Sequence, residues 1–350
     1  MKQAFLLMLL GAAVVPTGCT LAPKYVRPSA PVAEAWPEGT VGAGAAAVTN
    51  APVAADLGWE AFLADEKLRQ VVGLALTNNL DLRAAALNVE LARALYGIQR
   101  AALWPALDAA AGASKSRTPA DLSESGHHRI SERYDVNLGV ASWEVDLFGR
   151  IRSLKDRALQ EYLASEEARR GARLALISSV AETYLILAAD RECLRLAETT
   201  LEAQSASYAL IKKRYEVGVV TELDLFRAQT QVDSARGDVA QYTQRVAQDR
   251  NALDLLAGAP VPEALLPADL VEVAAPGDVR ADLPSEALLR RPDVARAENL
   301  LKAANADIGA ARAAFFPRIS LTAAYGAASA ELDGLDRKST RLNSSHDQIS

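Results

Sequence analysis

The sequence predicts a mainly α-helical protein with a smaller β component. It reads as two tandem helix–strand–strand–helix repeats, the second incomplete. Three observations carry this. From Arg150 to Tyr215 there is no proline and a single glycine, Gly171, among strong helix formers. Unbroken, that run is roughly 100 Å long, whereas helices of compact domains average about three turns. After Pro105 and again after Pro317 the apolar pattern changes from helical spacing to strict alternation. Finally, Asp81–Pro105 aligns without gaps on Asp293–Pro317 at one offset, 293 − 81 = 317 − 105 = 212. Ala85/Ala297, Ala92/Ala304, Ala94/Ala306, Gly97/Gly309 and Pro105/Pro317 match, and Arg100-Ala101-Ala102 matches Arg312-Ala313-Ala314. Identities combined with a shared helix-to-strand switch mark an internal repeat.

Residues 1–19 read as an export signal: Lys2, an apolar core from Ala4 to Val15 too short to span a bilayer, then Thr17-Gly18-Cys19. Small residues before a cysteine predict a lipobox with Cys19 as lipid anchor, although Pro16 stands where a leucine is usual. Residues 20–57, with Pro23, Pro28, Pro31, Pro37 and Pro52, predict an extended tether. Residues 58–105 carry the helix of the first repeat. Its periodicity runs from Lys67 to Ala102 along Leu74, Leu82, Ala85, Val89, Ala92, Tyr96 and Ala102.

Residues 106–147 predict a β-hairpin. Leu107, Ala109, Ala111 and Ala113 alternate with Asp108, Ala110, Gly112 and Ser114. In the second strand Tyr134, Val136, Leu138 and Val140 alternate with Asp135, Asn137, Gly139 and Ala141. Half-buried soluble sheets and transmembrane barrels share this pattern; the export signal favours the barrel. His127-His128 lie between the strands among Gly, Ser and Arg, a solvated-loop composition.

Residues 148–258 form a long antiparallel helical hairpin. Its second helix, Glu222–Leu256, carries a heptad seam at Leu225, Ala228, Val232, Ala235, Val239, Tyr242 and Val246. The link Glu216-Val217-Gly218-Val219-Val220-Thr221 turns the chain. Residues 259–283 are a Pro/Gly/Ala-rich connector. Residues 284–317 hold the second repeat's helix, opened by Arg290-Arg291-Pro292-Asp293, with proline suited to a first helical turn. Residues 318–335 hold its first strand, with Ile319, Leu321, Ala323 and Tyr325 against Ser320, Thr322, Ala324 and Gly326. Residues 336–350 change composition abruptly and predict a foreign or disordered tail. With the second repeat cut short, the chain as written is expected not to form a working channel.

Composition narrows the function classes. The net charge is −6 and no long basic stripe occurs, which argues against nucleic acid as a partner. Cys19 and Cys193 have no metal-ligand spacing, and no nucleophile elbow, phosphate loop or metal motif is present. No catalytic, cofactor or metal site is expected, and the protein is not expected to be an enzyme. Aromatic residues are 5% and alanine is abundant, which suits packed helical walls better than a deep core.

Trp143-Glu144-Val145-Asp146-Leu147-Phe148-Gly149, Arg291-Pro292-Asp293 and Ala313-Ala314-Phe315-Phe316-Pro317 together resemble the outer-membrane factors of tripartite efflux systems, the TolC superfamily, and within it the OprM-type lipoproteins. The resemblance covers residues 1–335. It implies a homotrimer in the outer membrane of a Gram-negative bacterium, sharing one β-barrel and a periplasmic α-barrel tunnel. Its partners would be a periplasmic adaptor, an inner-membrane pump of the RND type and outer-membrane lipid, with no cofactor beyond a covalent lipid on Cys19. It further implies that Val217, Gly218 and Val219 meet the adaptor, and that Asp224, with Arg214 and Tyr215, forms a candidate gate. The plainer reading of Asp224 is a helix-terminal carboxylate favoured by the dipole. A coiled-coil periplasmic adaptor and a type I secretion channel of the same superfamily are the alternative functions. The alternating strands argue against the adaptor.

Overall fold

The computed structural model describes residues 20–28, 57–123, 126–275 and 285–332. The export signal, Cys19 and the tail after 336 lie outside the described residues. The chain divides into two compact units, one of residues 1–28, 90–164 and 297–350, the other of residues 29–89 and 165–296.

The first unit holds an antiparallel sheet of β1 (Asp108–Thr118), β2 (Arg129–Glu144) and β3 (Ser320–Ser329), with β2 central. Register follows the alternation. Ala109 pairs with Leu138, Ala111 with Val136 and Ala113 with Tyr134. Leu138 in turn pairs with Tyr325, and Val140 with Ala323. These side chains share one face, since residues opposite each other in a ladder point the same way. A bulge between Val140 and Trp143 keeps Trp143 opposite Leu321 on that face. β2 runs well past the expected stretch, because Arg129–Arg133 continue the ladder without continuing the apolar alternation.

Most of the helix α5 (Pro292–Ala313), from residue 297 on, also belongs to this unit. Its small residues Ala303, Ala306, Gly309, Ala310 and Ala313 are buried. Along them lies the extended strap Thr20–Pro28. Asn305 donates to the Pro23 carbonyl at 2.7 Å and Arg312 to the Leu21 carbonyl at 3.2 Å. Glu298 accepts from Arg27 through two hydrogen bonds of 3.0 and 2.6 Å. Lys302 lies 5.4 Å from the Tyr25 ring centroid. Gly309 is required by this approach, since a Cβ there would sit 2.8 Å from the Ala22 nitrogen and 2.7 Å from Ser153 Oγ. The extended chain expected over 20–57 is thus present at 20–28, but docked rather than free.

The second unit contains α1 (Glu66–Asn78), the first turns of α2 (Leu80–Ala101), most of α3 (Arg150–Glu216) and α4 (Glu222–Ala257). The single helix expected from Lys67 to Ala102 is broken at Asn79, whose backbone is extended at ψ 127. Its side chain accepts from Leu82 N at 2.8 Å, capping α2, and donates to the Leu256 carbonyl at 3.0 Å. The break resets the helical phase, so α1 buries Leu68, Val71, Val72 and Ala75, with Leu74 only half-buried. Around them pack Ile177, Val180, Tyr184 and Leu187 of α3 and Leu253 and Ala257 of α4. Gly258 closes α4 in the left-handed region (φ 70), and a Cβ there would meet the Asn78 carbonyl oxygen at 2.6 Å. The heptad seam holds throughout: all seven positions are buried or half-buried, and its next steps are Asp249 and Leu253. Asp249 Oδ2 is buried without a hydrogen-bond partner among the described residues. Burial first, then the neighbouring Asp190 carboxylate, raises its pKa.

Candidate functional site

The middle of the sheet's apolar face is exposed. On the apolar face Val136, Leu138, Leu321 and Tyr325 are 45–59% exposed. Among the described residues no helix or second sheet covers them. The opposite face is polar or small: Asp135 lies across Gly112, and Asn137 Oδ1 lies across Gly326, where a Cβ would be only 2.0 Å away. Asn137 donates to Asp135 at 3.2 Å. From Trp143 to Tyr134 the apolar face spans eight ladder steps, as β3 counts them between the paired Leu321 and Ser329 (329 − 321 = 8), because the bulge takes up one residue of β2. That is roughly 27 Å along the strand, or about 20 Å across a bilayer at the usual tilt of about 40°. The apolar face, packed at its Trp143 root and exposed above it, therefore comes close to the roughly 25 Å apolar band of a transmembrane barrel.

The strand roots are built by the motif at 143–149. Asp146 caps α3, accepting from Ile151 N at 3.1 Å and Arg152 N at 2.9 Å. Glu144 pairs with Arg150. Gly149, at φ 78, makes the turn between them. Phe148 stacks on Phe316 with centroids 4.5 Å apart. Trp104 and Phe316 are equivalent residues of the two repeats, each directly before the proline that starts a strand. Trp104, Leu107 and Phe315 are 73–90% exposed at this level. Of these, Trp104 is the amphipathic aromatic type favoured where hydrocarbon meets headgroups.

The hairpin tip is a backbone device. Gly218 takes φ 76, the Val219 N–H donates to the Arg214 carbonyl and the Gly218 N–H to the Tyr215 carbonyl, each at 2.9 Å. This is a Schellman ending for α3, which satisfies carbonyls the helix would otherwise leave open. The Arg214 and Tyr215 side chains are exposed. Three residues after Gly218, Thr221 and Asp224 form a capping box. Asp224 Oδ2 accepts from Thr221 N at 3.1 Å and Thr221 Oγ1 at 2.6 Å. The Thr221 hydroxyl, then its backbone N–H, holds the Asp224 carboxyl below the usual carboxylate range. The cap is therefore intact above that range and is lost as pH falls through the lowered pKa. Val217 and Val219 are 73% and 70% exposed, and Leu223 and Phe226, absent from the sequence-based set, are 58% exposed beside them. Both stand off the seam that passes through Leu225 and Ala228, the signal that could have marked them as outward-facing.

A bilayer-high sheet with one uncovered apolar face, joined to helices far longer than a compact domain needs, defines an outer-membrane channel of the α-barrel class. The chain belongs to the outer membrane efflux protein family, which matches it over residues 71–259 and 283–350. It is 46% identical over 330 residues to the toluene efflux pump outer membrane protein TtgC of Pseudomonas putida, covering 94% of this chain and 68% of that protein. It is 44% identical over 340 residues to the outer membrane protein OprJ of Pseudomonas aeruginosa, covering 95% and 69%. The open-state structure of the MtrE outer membrane channel of Neisseria gonorrhoeae superimposes with a TM-score of 0.78 at 38% identity, covering 95% of this chain and 72% of that one. The protein is an outer-membrane channel component of a tripartite efflux system.

Proposed function

We propose that the full-length protein acts as a passive, homotrimeric conduit that receives small solutes from an inner-membrane pump through a periplasmic adaptor. The observation that carries the membrane half of this reading is the uncovered apolar face of the sheet. The trimer is supported by surfaces that lack a partner among the described residues. β1 and β3 each leave one edge unpaired, and α2 exposes Leu87, Leu91, Leu95 and Ile98 along one stripe. An exposed edge invites pairing with another chain, and a ring closes by repeating one heterologous contact. The relative named for toluene efflux suggests a small apolar solute as cargo. Extraction of the chain from the outer-membrane fraction only by detergent, as a cross-linkable trimer, is the expected result. Release by salt or alkaline wash overturns the reading.

The adaptor would meet the tip at Val217, Gly218 and Val219, with Leu223 and Phe226 widening the apolar patch. Asp224 serves there as a cap. Thr221→Ala, which removes the other half of the box, should cost about 1 kcal/mol in urea unfolding. Asp224→Ala should leave the single-channel conductance of the full-length trimer unchanged. Larger or more frequent openings with weaker cation selectivity would instead assign Asp224 to a gate, with Arg214 and Tyr215 as its neighbours.

Cys19 would carry the lipid. The strap supports this, because it delivers the residue after Cys19 to the strand-root end of α5, where Arg312 holds Leu21. A Cys19→Ser chain should lose incorporated palmitate label while still reaching the membrane through its sheet. Label that persists on the serine variant would rule the site out.

A further inference from the structure

We infer that the outer end of the β1–β2 hairpin binds a phosphorylated glycolipid of the outer leaflet, through Arg117 and Lys115 on its lipid-facing side. The inference rests on the outer-membrane reading and names the lipid chemistry that this face meets. Cross-strand register fixes the side on which each residue lies. The apolar pairs Ala109–Leu138, Ala111–Val136 and Ala113–Tyr134 continue on the same face as Lys115–Glu132 and Arg117–Ile130. Lys115 and Arg117 therefore stand about 7 and 13 Å beyond Ala113 and Tyr134 along the strand, on the side that faces lipid and past the end of its apolar band. The strand roots lie at the opposite end of β1, so this is the extracellular headgroup level.

A cation on the outward face at that depth needs an anion, and the local supply is short. Glu132 pairs with Lys115 at 2.5 Å and also accepts from the Tyr134 hydroxyl at 3.5 Å. Arg133 pairs with Asp135, but both belong to the opposite face. Across from Arg117 stands Ile130. Among the described residues no acidic side chain pairs with Arg117, which is exposed. The chain as a whole is acidic, at −6, yet the outward ladder positions 115, 117, 130 and 132 carry two cations against one carboxylate. The outer leaflet presents lipid A phosphates at this level. Arginine binds phosphate oxygens through two parallel N–H bonds, and lysine adds a point charge.

The test reconstitutes the full chain into vesicles containing either bisphosphorylated lipid A or the same lipid with both phosphates removed. Insertion is scored first, by protease protection of the sheet, and lipid A co-purifying with the extracted chain is then measured. The bisphosphorylated form should be retained preferentially. Arg117→Ala should lower its retention about fivefold, and the Lys115→Ala/Arg117→Ala pair roughly 25-fold, at about fivefold per cation near a charged membrane surface. Glu132→Gln should raise retention, because it frees Lys115 and removes a like charge facing the phosphates. A purely structural role for these residues predicts no gain from that change. An inserted chain that retains both lipids equally overturns the proposal and leaves the channel reading standing, as does full retention by the double variant. If millimolar inorganic phosphate displaces the lipid completely, the site binds free anion and the lipid assignment fails. A chain that does not insert into either vesicle overturns the membrane reading itself.

Discussion

Arginine at position 138 should destabilise the inserted sheet by about 2–4 kcal/mol if Leu138 lies near the bilayer midplane. Arginine one residue earlier, at Asn137, should cost far less. Leu138 has Ala109 on one side and Tyr325 on the other, all on the uncovered face. A guanidinium there must leave water or drag water with it. Asn137 points to the other face beside Asp135, where a longer cationic side chain can extend into the aqueous lumen and meet a carboxylate. Equilibrium urea titration in lipid vesicles reads both costs. Equal penalties at 137 and 138 would take this sheet out of the membrane. The comparison is internal to one strand, so differences in expression or in the unfolded state largely cancel.

Leu253→Ala should cost about 2–5 kcal/mol, whereas Leu255→Ala, two residues on, should stay within about 0.5 kcal/mol. Leu253 is fully buried where α4 meets α1 and α3, and Leu255 is 79% exposed. Truncation at 253 removes dispersion contacts from a cluster held by Val71, Val72, Val180 and Leu187, and that cluster is pinned by Tyr184, which donates to the Leu265 carbonyl at 3.1 Å. The surroundings are helices fixed at both ends by caps, so the void cannot close cheaply. Urea unfolding followed by circular dichroism measures the pair. Similar costs at both positions would mean that this cluster is not the anchor of the helical unit.

The long elements were legible because their signals are local. The heptad steps from Leu225 to Val246 identify the buried side of α4 without knowledge of what it packs against. The alternation at Tyr134–Val140 identifies the apolar face of β2 in the same way. Gly218 and Thr221 mark the tip because a left-handed residue and a capping hydroxyl each need particular chemistry at one position. What was missed depends on distant partners. The break at Asn79 carries neither proline nor glycine, and its stability comes partly from the Leu256 carbonyl, 177 residues away. Tyr25 and Arg27 look like tether residues until Glu298 is placed beside them, 273 and 271 residues later in the chain. Gly309 matches Gly97 in the repeat, yet a Cβ at Gly97 would meet nothing within 4 Å, whereas one at Gly309 would collide with the strap. The repeat conserves the glycine's place in the pattern, and only the second copy uses it for close approach.

The strap also imposes an order of events on the newborn chain. Its partners Glu298, Asn305 and Arg312 are made 271 to 291 residues after it. A segment without regular structure cannot lie down on a helix that has not yet been synthesised, and closing so long a loop is slow relative to local helix formation. Residues 20–28 are thus among the last to find their seat. Once α5 is made, its row of small side chains takes them up.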